Sequence, residues 1–384
     1  MNFDKLTAYL DSIYAEKNIP GVGMTIAVDN NPVYEHYYGW SNVEEKVPFS
    51  PETIFNLYSA TKLVTCTCAL QLIERGKIRL TDPLYEYIPE YKHQNVKVKT
   101  DGGEVVREAG TIITLEHLFT MTSGISGRRD APAILKVVED TQGRAPTVDI
   151  VRAAAAEPLN FEPGSHFQYG YSHDVLGAVV EIVSGQRLGA YMKEHVFDPL
   201  GMGSTAFELI EGKERYRTVL YNNFNAETGK AESIGQAFKL RFGSEYEMGG
   251  GGLLSCVPDY SRFARALANG GAGESGERIL NPETIDDWRT NRLSGEPLED
   301  FAVFGGWSKA GYGYGLGVRT LMDRERNNSL SETGEFGWDG AQGCYVVVDP
   351  KARVAIFYAQ QEGGSQWWTW HGTLRNLAYA STWS

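Results

Sequence analysis

The feature that most constrains the fold of this chain is the placement of strand-like segments at both of its ends. Residues 21–28 and 32–39 are β-prone and flank a polar turn, and residues 314–319, 343–348 and 354–359 read as strands near the C-terminus. Short helical patterns bounded by Gly or Pro dominate residues 114–269. The order predicts an α+β fold in which both termini build one antiparallel sheet, flanked by helices, with a mainly helical lobe inserted.

The predicted organisation is one domain over residues 1–384. Its α/β lobe is expected to comprise residues 1–80 and 305–384, and its helical lobe residues 81–304. The polar stretch 92–110 predicts a loop or a short ribbon, and residues 373–380 predict a closing helix.

Composition narrows the classes of protein to which the chain can belong. The 384 residues carry 36 Lys+Arg against 49 Asp+Glu, a net charge of −13, so no basic stripe suits nucleic acid. No apolar run reaches membrane-spanning length, and the N-terminus lacks the layout of a signal peptide. The four cysteines have no zinc-like spacing and are expected to be buried thiols. These features predict a cytoplasmic protein with no metal, cofactor, membrane or nucleic-acid partner.

Ser59 and Lys62 stand three residues apart, where a β-prone run gives way to a helical pattern that stops at Gly76. Because residues i and i+3 share a helix face, the Lys62 amine is expected to approach the Ser59 hydroxyl. The positive end of the helix favours a developing alkoxide, so the pair predicts an activated serine nucleophile. The pattern S-x-x-K alone occurs by chance about once in a chain of this length. Its simplest alternative is a Ser N-cap followed by a solvated Lys.

Two further segments carry candidate groups. Tyr169 and Tyr171 lie on a loop just before an apolar helical pattern, where a phenol can relay a proton; the alternative is a pair of core tyrosines. Near the C-terminus, Trp338-Asp339-Gly340-Ala341 enters a strand among glycines. An exposed N–H there can complete an oxyanion hole with the N–H of Ser59, and the alternative is a Gly-rich β-bulge.

Ordered motifs run along almost the whole chain: Ile19-Pro20-Gly21-Val22, the Ser59–Lys62 pair, Leu80-Thr81-Asp82-Pro83, residues 115–124, Glu162-Pro163-Gly164, residues 197–202, residues 249–253 and Trp338-Asp339-Gly340. With these motifs the chain resembles the serine β-lactamase and penicillin-binding-protein-like hydrolases, in particular the class C β-lactamase-like esterases called class VIII. The resemblance implies a β-lactamase/transpeptidase-like fold with the active site between the two lobes.

The resemblance also implies roles for residues. It implies Ser59 as the nucleophile, Lys62 as its basic partner and one tyrosine as the second proton-handling group. The tyrosine often precedes Asp-Val-Leu-Gly by five positions, which selects Tyr169, whereas a strict Tyr-Ser-Asn reading selects Tyr171. No asparagine occupies the third motif position in either register.

The third family motif bears on the substrate. Penicillin-recognising members carry Lys or His where this chain has Trp338, and that cation helps to bind a substrate carboxylate. If Asp339 faces the cleft, its carboxylate about 5 Å from an anionic substrate costs about 3 kcal/mol at an effective dielectric near 20. The motif therefore favours neutral esters over penicillin-like amides.

Together these features predict a serine esterase acting on a small-molecule ester through an acyl-enzyme on Ser59, with Lys62 and Tyr169 as proton-transfer partners. The predicted oxyanion and substrate-binding set is Ala341, Trp338, Asp339, Gly340 and Tyr171. A Ser-His-Asp hydrolase is disfavoured because no G-x-S-x-G elbow occurs. Acyl transfer, weak β-lactamase or D-amino peptidase activity, and a non-catalytic binding or sensor role remain as alternatives. The sequence leaves the oligomeric state open.

Overall fold

The largest element of the fold is an eight-stranded antiparallel sheet. The computed structural model describes residues 1–235 and 241–383. The strands are β1 (Gly21–Val28), β2 (Asn31–Asn42), β3 (Val47–Pro48), β4 (Phe55–Asn56), β5 (Asn95–Thr100), β6 (Gly103–Glu108), β7 (Leu220–Asn225), β8 (Lys230–Gly235), β9 (Leu254–Ser255), β10 (Tyr312–Tyr314), β11 (Arg319–Leu321), β12 (Phe336–Gly337), β13 (Tyr345–Asp349), β14 (Val354–Gln360) and β15 (Glu362–Gly363). The order in the main sheet is β10-β11-β12-β13-β14-β1-β2-β3.

The centre of this sheet joins the two ends of the chain. β1 pairs with β14 from Val22↔Gln360 to Val28↔Val354, and every residue of both strands is buried. Burial on both faces explains why these strands read as continuous apolar runs rather than alternating ones. The prediction of an α+β fold with a sheet built from both termini is confirmed.

Helices cover both faces of the sheet. They are α1 (Asp4–Glu16), α2 (Thr61–Glu74), α3 (Leu115–Phe119), α4 (Pro132–Asp140), α5 (Thr147–Ala154), α6 (Ser172–Ser184), α7 (Leu188–Met192), α8 (Asp198–Leu200), α9 (Val257–Ala268), α10 (Pro282–Trp288), α11 (Glu296–Gly305) and α12 (His371–Thr382). In β14, Ile356 packs in a cluster with residues of α1 and α12, whereas the ring of the next residue, Phe357, lies tilted against Tyr260 of α9 with 4.6 Å between ring centres. The two-residue period of the strand thus separates two cores.

The structure differs from the predicted elements at residues 314–319. This segment is not one strand but the link between β10 and β11, because Gly315 and Gly317 close a tight turn. Gly317 has φ +96, and the N–H of Gly315 donates to the carbonyl of Val318 at 2.8 Å. The polar stretch 92–110 contains the hairpin β5–β6, as the ribbon alternative predicted. The lobe boundaries at residues 80 and 305 remain a prediction.

The helices of the described ranges, 1–235 and 241–383, include none that is long and apolar enough to cross a bilayer.

A substitution in the central sheet tests how strongly the fold depends on it. Ile356 is fully buried in β14, and truncation to Ala removes apolar contacts and leaves a cavity. We expect Ile356→Ala to lower the free energy of unfolding by about 2–5 kcal/mol, measured by urea denaturation followed by circular dichroism. The matched control, Val106→Ala, removes two methyl groups from a residue that is 55% exposed in β6. It should change the same quantity by less than about 0.5 kcal/mol; equal losses would contradict this account.

Candidate active site

A cavity of about 450 Å³ brings most of the predicted site residues together. Its lining comprises Ser59, Tyr169, Val303, Phe304, Gly305, Gly306, Ser308, Lys309, Trp338, Asp339, Ala341, Trp367 and Trp368. Ser59 comes from the segment before α2, and Ala341 follows β12, which pairs with β11 and β13 in the main sheet. Three predicted residues, Lys62, Gly340 and Tyr171, are not part of this lining.

Ser59 sits on a strained turn at the entrance to α2. The turn of 3₁₀ helix Tyr58–Ala60 precedes α2, and Tyr58 adopts the left-handed φ of 47°. Such a conformation costs a non-glycine residue about 1–3 kcal/mol and persists where the surroundings enforce it. The neighbouring backbone is fixed by the N–H of Leu57, which donates to the carbonyl of Leu253 at 2.9 Å. The turn leaves the Ser59 hydroxyl partly exposed at the cavity wall.

Lys62 reaches Ser59 from the first turn of α2. Its Nζ donates to Ser59 Oγ at 3.2 Å and to the carbonyl oxygen of Gly250 at 2.5 Å. The residue is only 3% exposed, and its Nζ lies 4.6 Å from the centre of the Tyr169 ring. The helix is buried from Thr61 to Leu72, so α2 holds the amine in place from within the core. The approach expected from the i, i+3 spacing is present.

The glycine run 249–252 was recognised in the sequence as a motif, but its contacts with Lys62 and Asp174 were not predicted. The Gly250 peptide connects two buried titratable side chains: its carbonyl accepts from Lys62, and its N–H donates to the Asp174 carboxylate. A Cβ on Gly250 would stand 2.6 Å from Asp174 Oδ2 and 3.6 Å from Lys62 Nζ. Only glycine therefore fits between the two side chains. The glycine-rich composition of the run was the signal that could have revealed this contact.

Asp174 lies at the end of this chain of contacts and was also missed as a site residue. The Tyr246 hydroxyl donates to its Oδ1 at 2.8 Å. Burial raises the pKa of the Asp174 carboxyl, while Tyr246 and Lys62 act in the opposite direction. The contacts with Tyr246 and Lys62 therefore offset part of the cost of burying this carboxylate.

The two candidate tyrosines occupy different environments. Tyr169 lines the cavity, and its hydroxyl oxygen accepts a hydrogen bond from Trp338 Nε1 at 2.9 Å. Tyr171 is buried, with its hydroxyl 3.3 Å from that of Tyr246. Burial and the nearby Asp174 carboxylate raise the pKa of Tyr171 well above its usual value. The structure therefore places Tyr169 beside Ser59, whereas Tyr171 belongs to the core beneath the loop.

Trp338 forms part of an aromatic wall. Its indole stacks on Tyr169 at 5.4 Å between ring centres and meets Tyr314 edge-on at 5.3 Å. Phe304 at the end of α11 also stacks on Tyr169, at 4.9 Å between ring centres, and its ring centre lies 6.4 Å from that of Trp338. The wall is apolar apart from the polar edges of Tyr169 and Trp338, so it suits an uncharged acyl or alcohol group.

Asp339 does line the cavity, but its charge is compensated. Its Oδ2 accepts from Lys309 Nζ at 2.6 Å and its Oδ1 from Arg319 Nη1 at 3.0 Å. Burial raises the pKa of the Asp339 carboxyl, yet Lys309 and Arg319 outweigh burial and lower it to about 2. The expectation that Asp339 repels an anionic substrate is corrected accordingly, because two cations surround this one carboxylate.

Gly340 allows two backbone segments to approach each other closely, and it does not line the cavity. A Cβ at this position would stand 2.5 Å from the carbonyl oxygen of Leu57, two residues before Ser59. Glycine thus lets the segment after β12 approach the segment that carries the nucleophile. The next residue, Ala341, lies on the turn closed by the Gly343 N–H donating to the Gly340 carbonyl at 2.8 Å, and it lines the cavity with Ser59.

Two buried histidines lie outside the lining of this cavity. His173 Nε2 donates to the carbonyl of Phe119 at 3.1 Å, and His371 Nε2 to that of Gly343 at 3.1 Å. Burial is the main cause that lowers the pKa of each imidazole to about 3. Both rings are therefore neutral structural groups near pH 7.

A group of side chains with possible metal ligands lies beyond the cavity. His166, Glu296 and Asp300 place their ligand atoms within 4.8 Å of one another. Asp300 already accepts from His166 Nδ1 at 2.9 Å and from the N–H of Phe167 at 3.0 Å. These contacts fasten the loop that leads to Tyr169 onto α11, which accounts for the cluster without a metal.

Comparisons with known proteins agree with this geometry. The family model described as Beta-lactamase matches residues 6–367. Esterase EstB of Burkholderia gladioli is 28% identical over 369 residues, which cover 92% of this chain and 88% of EstB. Acyltransferase calJ of Penicillium decumbens is 27% identical over 351 residues, which cover 86% and 81% of the two chains.

Among solved structures, EstCE1, described as a hydrolase with promiscuous acyltransferase activity, matches with a TM-score of 0.78 at 23% identity over 98% of both chains. That likeness confirms the predicted β-lactamase/transpeptidase-like fold, and the curated relatives support a serine hydrolase or esterase-type activity. With the family model matched over residues 6–367, this chain belongs to the Beta-lactamase family.

Proposed function

We propose that this protein is a serine esterase that hydrolyses small-molecule carboxylic esters through an acyl-enzyme on Ser59. The observation that carries the proposal is the 3.2 Å contact between the buried Lys62 amine and Ser59 Oγ, at the wall of an aromatic cavity. EstB, an esterase by name, is related over 92% of the chain. A purely binding role would need no such serine–amine pair.

In the proposed first half-reaction, Ser59 Oγ attacks the ester carbonyl and its proton passes to the Lys62 amine. The backbone N–H groups of Ser59 and Ala341 hold the oxyanion. As the tetrahedral intermediate collapses, the C–O bond to the alcohol breaks, and the leaving oxygen takes a proton from Tyr169 or Lys62.

In the second half-reaction, water replaces the alcohol. It attacks the acyl carbonyl on Ser59 while Lys62 and Tyr169 accept its proton, and Ser59 Oγ leaves and is reprotonated. The acid and the free enzyme result. Both half-reactions use the same side chains, and neither requires a metal or a cofactor.

The apolar wall around Tyr169 and Trp338 supports an ester whose reacting end is uncharged. Trp338 occupies the place of the family's substrate-binding cation, which disfavours efficient cleavage of β-lactams or D-amino peptides. The proposal also keeps a cytoplasmic location, which is supported by four free, buried cysteines.

Acyl transfer is a second candidate, favoured by the kinship with calJ, an acyltransferase by name. It shares the first half-reaction, but an alcohol rather than water accepts the acyl group. We expect an added short-chain alcohol to increase p-nitrophenolate release and to yield a new ester, measured by chromatography, if transfer competes with hydrolysis. If p-nitrophenolate release is unchanged and no new ester forms, acyl transfer is contradicted and hydrolysis remains the proposed reaction.

Replacing the nucleophile tests the main proposal. Ser59→Ala should reduce kcat/KM for p-nitrophenyl butyrate by at least about 10⁴-fold, because no acyl-enzyme can form. An alkylphosphonate p-nitrophenyl ester should add its phosphonyl group to wild-type Ser59, seen by peptide mass spectrometry, and not to the variant. Ser308→Ala is the matched control and should retain most of the activity. Ser308 lines the same cavity, and its Oγ donates to the carbonyl oxygen of Gly305 at 3.0 Å. Equal activity of Ser59→Ala and wild type would overturn the proposal.

The two tyrosines provide a paired test of the proton-transfer role. We expect Tyr169→Phe to lower kcat by about 10²–10⁴-fold, because the variant lacks the transferable proton in the cavity. Tyr171→Phe removes a hydroxyl from the core and should cost about 1 kcal/mol of stability while retaining most of kcat. Both should be followed with p-nitrophenyl butyrate and by thermal unfolding. The reverse ranking of kcat would assign the role to Tyr171.

A further inference from the structure

A second cavity adjoins the catalytic one and has more charged residues in its lining. Its volume is about 340 Å³, and it shares Ser308, Lys309, Asp339 and Trp368 with the catalytic cavity as common lining. The hydrogen-bonded Lys309–Asp339 pair therefore stands in the wall between the two spaces. One cavity is walled by aromatic rings beside Ser59, whereas half of the residues that line the other carry charged or amide side chains.

The lining of the second cavity is rich in cations. The lining contains four cationic side chains and one carboxylate, Asp339. The cations are Lys309, Arg319, Arg326 and Arg375. Such an excess is notable in a chain with a net charge of −13, because the average surface would attract cations rather than anions.

Contacts within this cavity leave positive charge uncompensated. Asp339 is shared by Lys309 and Arg319, and the buried Glu335 lies 3.6 Å from Arg319 behind the lining. Among the residues that the structure describes, Arg375 donates to uncharged acceptors: Nη1 to the Tyr312 hydroxyl at 2.9 Å and to the Asn327 amide oxygen at 2.8 Å, and Nε to the Asn376 amide oxygen at 3.2 Å.

Arg326 completes the set from the exposed rim of the cavity. The neighbouring Asp323 carboxylate accepts from the backbone N–H of Arg326 at 2.9 Å and is not part of the lining. Four cationic side chains thus line the cavity, and the nearby carboxylates are Asp339 in the lining and Glu335 behind it. Asp323 lies outside the lining.

We propose that the second cavity binds an anionic group, a carboxylate or a phosphate, at the far end of the substrate whose ester reacts at Ser59. Guanidinium groups match the paired oxygens of these anions and bind them by charge-assisted hydrogen bonds. The reacting end occupies the aromatic cavity, and the chain between the two ends passes the Lys309–Asp339 pair. The inference rests on the proposed esterase function and specifies its substrate class as esters with a remote negative charge.

A series of paired substrates tests this specificity. Mono-p-nitrophenyl esters of dicarboxylic acids, from succinate to suberate, are compared at low ionic strength with p-nitrophenyl alkanoates of equal chain length. We expect at least one chain length at which the charged ester has the higher kcat/KM. Arg326→Gln should reduce that preference by about fivefold, the effect of losing one partly solvated ion pair. Arg324→Gln, which removes the same charge outside the cavity lining, should leave the preference as it is.

Two results would overturn the inference: no chain length at which the charged ester is preferred, or a preference that Arg326→Gln and Arg324→Gln reduce equally. Neither result affects hydrolysis of neutral esters at Ser59, so the proposed function would survive. Calorimetric titration with glutarate and with inorganic phosphate supplies a readout independent of catalysis and distinguishes the two anions. Saturable binding weakened by Arg326→Gln supports the anion site even if no ester is hydrolysed; no binding of either anion opposes it.

Discussion

The contact between the Lys62 amine and the Ser59 hydroxyl is the interaction on which the catalytic cavity depends. An amine and a hydroxyl three residues apart meet only if the backbone around them is rigid, and here the turn at Tyr58 and the buried helix α2 supply that rigidity. The second acceptor of Lys62, the Gly250 carbonyl, restricts the amine from the opposite side. The strain at Tyr58 and the burial of a lysine are costs that the surrounding core offsets.

The sheet contributes by bringing the C-terminal part of the chain to the same place. Pairing of β1 with β14 fixes the register of β13 and β12, and the turn after β12 then lies against the segment before Ser59. Gly340 allows the close approach because Leu57 occupies the space of a Cβ. The oxyanion donors proposed here, on Ser59 and Ala341, are thus positioned by a contact between backbone atoms from the two ends of the chain.

Local sequence patterns were sufficient for β1, β14 and the spacing of Ser59 and Lys62, because strand periodicity and the i, i+3 relation are short-range properties. They were insufficient at residues 314–319, where two glycines form a turn within an apparent strand. They also missed the contact of Lys62 with Gly250, which lies 188 residues away. The charge of Asp339 could not be judged either, since its compensation depends on where the fold places Lys309 and Arg319.

The exchange of the family's cation for Trp338 has a consequence for proton transfer as well as for binding. An indole N–H can only donate, so in the hydrogen bond between Trp338 and Tyr169 the tyrosine oxygen is the acceptor. The hydroxyl proton of Tyr169 is therefore not used in that bond and stays available toward the cavity. The same indole stacks on the tyrosine ring and holds it against the Lys62 side of the cavity. One side chain thus replaces a charge-based substrate contact with an apolar wall that also orients the proposed proton donor.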